Sequence, residues 1–247
     1  MKLTDNTVFI PGATSGIGLG LALRLHELGN TVIIGGRRTA LLDEIAAAHP
    51  GIHTVRIDTA DADDITRVST EVQQRFPETN VLIAMAGIMR PEDLTTSGFL
   101  DTAEAVVTTN ILGPLRLIAA FTEFLSDRPD ATIITVSSGL AFTPMVATAT
   151  YSASKAAIHS FTDSLRVQLA PKGIDVLELV PPAVRTDLMP GQAQAEWAMP
   201  LEEFLDEVLS LLPEATDEIL VERVKPLRHS EAQGNRRELI DQLAQLS

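Results

Sequence analysis

Short, wholly apolar runs alternate along this chain with longer segments of helical length. The runs are TVFI (7–10), TVIIG (31–35), HTVRI (53–57), NVLIAMAG (80–87), ATIITVSS (131–138) and DVLELV (175–180). None of them alternates polar with apolar positions, as a strand wetted on one side does. Continuous apolarity is what strands covered on both faces require. Strands alternating with helices predict an α/β fold, a doubly wound parallel sheet with right-handed crossovers. No repeat or Ser/Gly-rich linker breaks the pattern, and 247 residues suit a single domain.

After LVPPAV (179–184) the pattern changes. Residues 187–213 open on Pro, Gly, Gln and Ala, contain the only Trp, and continue into the helix-like PLEEFLDEVLSLL. They are expected to form a substrate-lid insertion at the sheet edge. A short strand, EILV (218–221), follows. The tail (222–247) ends in RRELIDQLAQL, where Leu239, Ile240, Leu243 and Leu246 make an apolar stripe at helical spacing. Such a stripe needs a surface to cover, in this subunit or in another.

Composition narrows the function. A net charge of -14 disfavours a surface built for nucleic acid or an anionic membrane, since both demand clustered Lys and Arg. The absence of Cys excludes disulfides, thiol nucleophiles and thiolate metal sites, and fits a cytoplasmic protein. Five His residues without ligand spacing argue against a metal site. Neither a basic leader nor an apolar run approaching a membrane span is expected.

Two stretches carry chemistry. PGATSGIGLGLAL follows the first strand and opens a helix, with glycines at 12, 16 and 18. This spacing differs from G-x-G-x-x-G, but a glycine turn there lets backbone amides and the positive helix end approach a pyrophosphate. A tight turn with no ligand is the alternative. At the end of the second strand stands GGRR (35–38). Gly36 occupies the place where an acidic residue would bind a ribose 2'-hydroxyl, and Arg37 and Arg38 can hold a 2'-phosphate. This predicts NADP(H) over NAD(H), unless both Arg only solvate a helix start. The second stretch is YSASK: on a helix, Tyr151 and Lys155 share one face. A phenol titrates near 10. A positive charge about 4 Å away, at an effective dielectric of about 20, favours the phenolate by roughly 4 kcal/mol, or about three pKa units.

GATSGIG, NILGPL, VSSGLAF and YSASK appear in that order, and the chain resembles the short-chain dehydrogenase/reductase family from about residue 5 to about 225. KLTDNTVFI, GIGLGLA and LGNTVIIGGRR are similar to the DltE-like bacterial branch. The resemblance implies a Rossmann-type fold and a carbonyl–alcohol oxidoreductase. It also implies a small-molecule substrate and a homodimer or homotetramer built on the helices carrying Asn110 and Tyr151. It further implies Tyr151 as general acid or base and Lys155 as its tuner and a ligand of the nicotinamide ribose. Ser138, with Ser137 as competitor, holds the substrate oxygen, and Asn110 positions a relay water. Gly12, Thr14, Ser15, Gly16, Ile17, Gly18, Ala86 and Gly87 would line the nucleotide, with Asp58 at the adenine and Val184 and Thr186 at the carboxamide.

Pro11, Ala84-Met85 and Pro182 stand where the family usually has Thr, Asn-Asn and Gly. Because polar groups are missing from both sides of the junction between the first and fourth strands, a compensated apolar junction is expected. Two other functions fit less well. A silent NADP(H)-binding sensor would have lost Tyr151, Lys155 or Ser138, and epimerisation or dehydration calls for a longer C-terminal domain. Leu140, Phe142, Met145, Met189, Trp197, Met199 and Phe204 could line an apolar pocket under a mobile lid, or simply bury the insertion or form a subunit interface.

Overall fold

The computed structural model describes residues 1–245; Leu246, assigned above to the final apolar stripe, lies outside the described residues. Seven parallel strands form one sheet: β1 (Thr7–Pro11), β2 (Thr31–Gly36), β3 (Ile52–Arg56), β4 (Val81–Ala84), β5 (Thr132–Val136), β6 (Asp175–Leu179) and β7 (Glu218–Ile219). Their order is β3-β2-β1-β4-β5-β6-β7. The order reverses between β1 and β4, and a crevice opens beyond the carboxyl ends of the strands at such a point.

Residues within each apolar run divide between two cores. Val8 and Ile10 of β1 join Val32 and Ile34 of β2 on one face, beneath α1 (Gly16–Glu27) and α2 (Thr39–Ala48). Phe9 and Ile33 point to the other face, with α3 (Ala62–Arg75), α5 (Gly113–Ser126) and the end of α6 (Ala149–Leu169). Two buried faces explain why the strands carry no polar alternation.

α4 (Phe99–Val107) runs into α5 through a π-helical turn at Thr108–Leu112, a rare feature that concentrates at functional sites. Together they form one 28-residue helix, Phe99–Ser126, long and apolar enough by length and composition to cross a bilayer. This corrects the expectation that no segment approaches a span. The helix's apolar character is easily missed in the sequence because Thr108, Thr109 and Asn110 interrupt the run. Leu117, Ile118, Phe121 and Leu125 commit one side of it to the sheet core.

The expected lid divides in two. Its helix, α7 (Leu201–Leu211), packs on α1 with Phe204, Leu205 and Val208 buried, and a Cβ at Gly20 would stand 2.5 Å from Leu205 Cδ1. The inner face of 201–211 is therefore core, and its acidic face is exposed. Only 187–200 flank the crevice, tied back by the Val184–Met199 bridge. The tail forms α8 (Lys225–Arg228) and α9 (Arg236–Ala244), with Leu239, Ile240 and Leu243 half-buried.

At the first departure from the family pattern, Pro11 is the last residue of β1. Ala84 is buried, and Met85 packs against the glycine helix, its Cγ 2.9 Å from where a Cβ on Gly18 would lie. The junction is apolar on both sides, as expected.

Candidate active site

The crevice holds a cavity of about 540 Å³. Its walls begin with the turn between β1 and α1. Gly12 adopts φ +94°, and a Cβ there would stand 2.5 Å from Ala86 Cα, so only glycine brings the turn this close to the backbone after β4. Gly12 and Ala13 donate their backbone N–H groups to Gly35 O (2.8 and 3.2 Å). Ser15 at the start of α1 makes no side-chain cap bond. The first-turn amides and the helix dipole therefore face the cavity without an internal acceptor. Ser137 Oγ, on the cavity wall, is buried without a hydrogen-bond partner among the described residues. These features fit a dinucleotide.

Every residue assigned from sequence to the cofactor borders this cavity: Gly12, Thr14, Ser15, Gly16, Ile17, Gly18, Arg37, Arg38, Asp58, Ala86, Gly87, Tyr151, Lys155, Val184 and Thr186. Arg38 donates to Thr14 Oγ1 (2.9 Å) and Ser15 Oγ (3.3 Å), fastening the rim to the glycine turn. A Cβ at Gly36 would stand 2.4 Å from Thr14 Cγ2. Any side chain there would have to displace Thr14, which Arg38 holds. Asp58 accepts from Ala60 N (3.0 Å), so its carboxylate also shapes the turn after β3.

Tyr151 and Lys155 occupy the first turns of α6, and both are buried. Glu92 accepts from Thr150 N (2.7 Å), placing a carboxylate at this helix's N-terminus and fixing the turn that presents Tyr151. The electrostatics run opposite to the sequence expectation. Burial pushes the Tyr151 phenol up to about 12, against a smaller downward pull from hydrogen bonding to Ser138. Burial pushes Lys155 down to about 8, opposed by the charge of Glu178. Lys155 donates to Val136 O (2.8 Å), and its Nζ lies 5.6 Å from the centre of the Tyr151 ring. Lys155 loses its charge near pH 8, below the range where the phenol titrates, so it lends no lowering charge there and desolvation prevails.

Ser138 ends the β5 segment, its Oγ accepting from Leu140 N (3.1 Å). Asn110 lies in the π turn, buried and outside the cavity lining. Its Oδ1 accepts from Ile88 N (2.8 Å), and its Nδ2 donates to Ile88 O (2.9 Å) and Ser154 Oγ (3.2 Å). This side chain pins the loop after β4 onto α6.

Glu178 and His159 are not among the sequence candidates, although an acid at the centre of DVLELV was a signal. Glu178, fully buried on β6, is hydrogen bonded to His159 Nδ1 at 2.8 Å. His159 stands one turn after Lys155 and packs on Phe142 (4.7 Å between ring centres). Glu218, 3.7 Å from His159 Nδ1, is held by Arg228 (2.8 and 3.0 Å). These three could ligate a metal by geometry, but Arg228 already supplies the cation.

The Glu178 hydrogen bond raises the His159 pKa above its ordinary 6.5 despite burial. A raised folded-state pKa stabilises the fold fully below about 6.5, and the stabilisation fades as pH rises through the higher folded value. His159→Gln is expected to lower the melting temperature most at acidic pH, with a shrinking penalty toward alkaline pH. Melting curves across that range check it, and a penalty that holds constant or grows with pH would contradict it.

Apolar walls continue the cavity into a slot of about 220 Å³. Leu140, Met145, Met189 and Trp197 line it; Phe142, Met199 and Phe204 do not, because Met199 and Phe204 are core and Phe142 stacks on His159. Ser138 and Tyr151 line slot and crevice alike.

Residues 6–197 match the family model described as short chain dehydrogenase. The chain belongs to the short-chain dehydrogenase family. It is an oxidoreductase of the DltE-like kind. It is 41% identical over 235 residues to the uncharacterized oxidoreductase DltE of Bacillus subtilis (strain 168), covering 92% of each chain. Among solved structures, a short chain dehydrogenase from Burkholderia cenocepacia J2315 in complex with NADP superposes with a TM-score of 0.85 at 26% identity, covering 98% of this chain and 99% of that one. A short-chain dehydrogenase from Sphingobium yanoikuyae in complex with NADPH has the same fold (TM-score 0.80, 24% identity, 96% and 95% covered).

Proposed function

We propose that this dehydrogenase interconverts a carbonyl and an alcohol with NADP(H), Tyr151 donating the proton in reduction. The observation that carries the reading is that Ser138 and Tyr151 border both the dinucleotide crevice and the apolar slot. A carbonyl seated in the slot can reach both hydroxyls while facing the crevice. The bound reduced nicotinamide supplies the hydride. Overall, a ketone or aldehyde, NADPH and one proton give the alcohol and NADP+. Ser138 holds the carbonyl oxygen, and Tyr151 gives that oxygen its proton as charge develops. A buried phenol with a raised pKa stays protonated at neutral pH, as a proton donor must. Lys155, charged below about pH 8, stabilises the phenolate left behind.

A preference for NADP(H) rests on Arg37 and Arg38 at the rim and on Thr14 crowding any side chain at Gly36. The Burkholderia relative's complex with NADP agrees. Assembly into a homodimer or homotetramer is proposed through the outer sides of α4, α5 and α6, where Leu100, Val107, Leu112 and Val167 are exposed.

Mixing the protein with NADPH and a panel of ketones and aldehydes tests the function through the absorbance of the reduced nicotinamide. Consumption that depends on a carbonyl compound is expected. Its rate should fall as pH rises through about 8, where Lys155 loses its charge. Tight NADPH binding without turnover across the panel would favour a silent sensor.

A further inference from the structure

Resting on that reading, we propose that the substrate is an apolar carbonyl compound ending in an anion, a carboxylate above all, and that Arg223 receives that anion at the mouth of the slot. The slot has a direction. Its inner end is the buried pair Ser138 and Tyr151. Its outer end is the half-exposed Trp197 and the exposed Arg223 guanidinium, which donates to Trp197 O (2.9 Å). Leu140, Met145 and Met189 also line the slot and cluster with Tyr151, an apolar wall for an alkyl or aryl body. About 220 Å³ is small against the 300–1,000 Å³ or so usual for ligand cavities, so it suits a medium-sized substrate rather than a long lipid.

Charge argues for the far end. The chain carries 33 acidic residues against 19 basic ones, yet among the described residues Arg223 is the only charged one lining the slot. Among the described residues no carboxylate stands within ion-pair distance of it, whereas Arg228, a few residues on, is held by Glu218. Arg24, Arg56, Arg67 and Arg166 likewise have carboxylate partners. A guanidinium is suited to a bidentate grip on a carboxylate. Its single bond to Trp197 O leaves further N–H groups for that purpose.

Trp197 is the only tryptophan, so its fluorescence reports occupancy of the slot without turnover. The test loads Tyr151→Phe protein with NADP+ and titrates it with medium-chain keto acids and the methyl ester of each. The acid is expected to bind about tenfold or more tightly than its ester, the scale of one charge-assisted hydrogen bond. Adding Arg223→Gln should bring the acid-to-ester ratio close to one, and Arg223→Lys should restore part of it. A purely structural role for Arg223 would change both affinities alike and leave the ratio standing. Equal binding of acid and ester, a preference that survives Arg223→Gln, or no fluorescence response to either would overturn the proposal. Failure of the oxidoreductase reading is separately visible, as wild-type protein that binds NADPH but leaves it unoxidised in the presence of every carbonyl compound of the panel.

Discussion

Tyr151→Phe is expected to cut carbonyl reduction by about 10²–10⁴-fold, the usual contribution of a positioned proton donor, with NADPH binding kept. The change removes one hydroxyl from a buried side chain on the early turns of α6, and the ring still fills its place beside Met89 and Met145. The glycine turn, Arg37, Arg38 and Lys155 are untouched. Absorbance at saturating NADPH gives the rate, and enhancement of NADPH fluorescence gives the affinity. A variant that turns over at more than a tenth of the wild-type rate would assign the proton to another group. Loss of cofactor binding in step with turnover would make Tyr151 a structural part of the crevice.

Arg37→Ala is expected to reduce the preference for NADPH over NADH by about tenfold to a hundredfold, the equivalent of one charge-assisted hydrogen bond of roughly 1.5–3 kcal/mol. Arg37 is exposed on the crevice rim, so its loss should touch the 2'-phosphate and little else. Arg38→Ala should combine a similar loss with weaker binding of both nucleotides, because Arg38 also braces Thr14 and Ser15. Dissociation constants for the two reduced nucleotides, measured with each variant, separate these effects. An unchanged ratio in Arg37→Ala would remove that residue from the phosphate site. Gly36→Asp, the substitution that would turn the rim toward NADH, is expected to weaken both nucleotides, since a Cβ there collides with Thr14.

The sheet was legible because strands buried on both faces are mostly apolar, and every run named from the sequence falls on a strand; the edge strand β3 is partly exposed. The cofactor lining was legible for a related reason: a glycine turn, an arginine pair and a strand-end acid are local features at fixed places in a βαβ unit. What depends on depth was not legible. Tyr151 and Lys155 were correctly read as neighbours, but their spacing does not reveal that both are buried or that Lys155 turns to Val136 O. Desolvation then reversed the expected shift of the phenol. Likewise PLEEFLDEVLSLL showed an apolar stripe without showing its cover, and Phe204 and Leu205 proved to be core beneath α1. Asn110 was legible as a helical polar residue of special purpose, but its grip on Ile88 depends on a loop distant in sequence. Glu178 hid inside a strand because its partner His159 lies 19 residues away on α6.

Isotope transfer tests the account most directly. NADPH carrying deuterium at the transferable position, incubated with wild-type protein and a carbonyl compound that it consumes, should yield an alcohol with one deuterium on its carbinol carbon. The same incubation with Tyr151→Phe should yield almost none. Nucleotide oxidation without deuterium in the alcohol, or equal label from both proteins, would contradict hydride delivery to a carbonyl protonated by Tyr151.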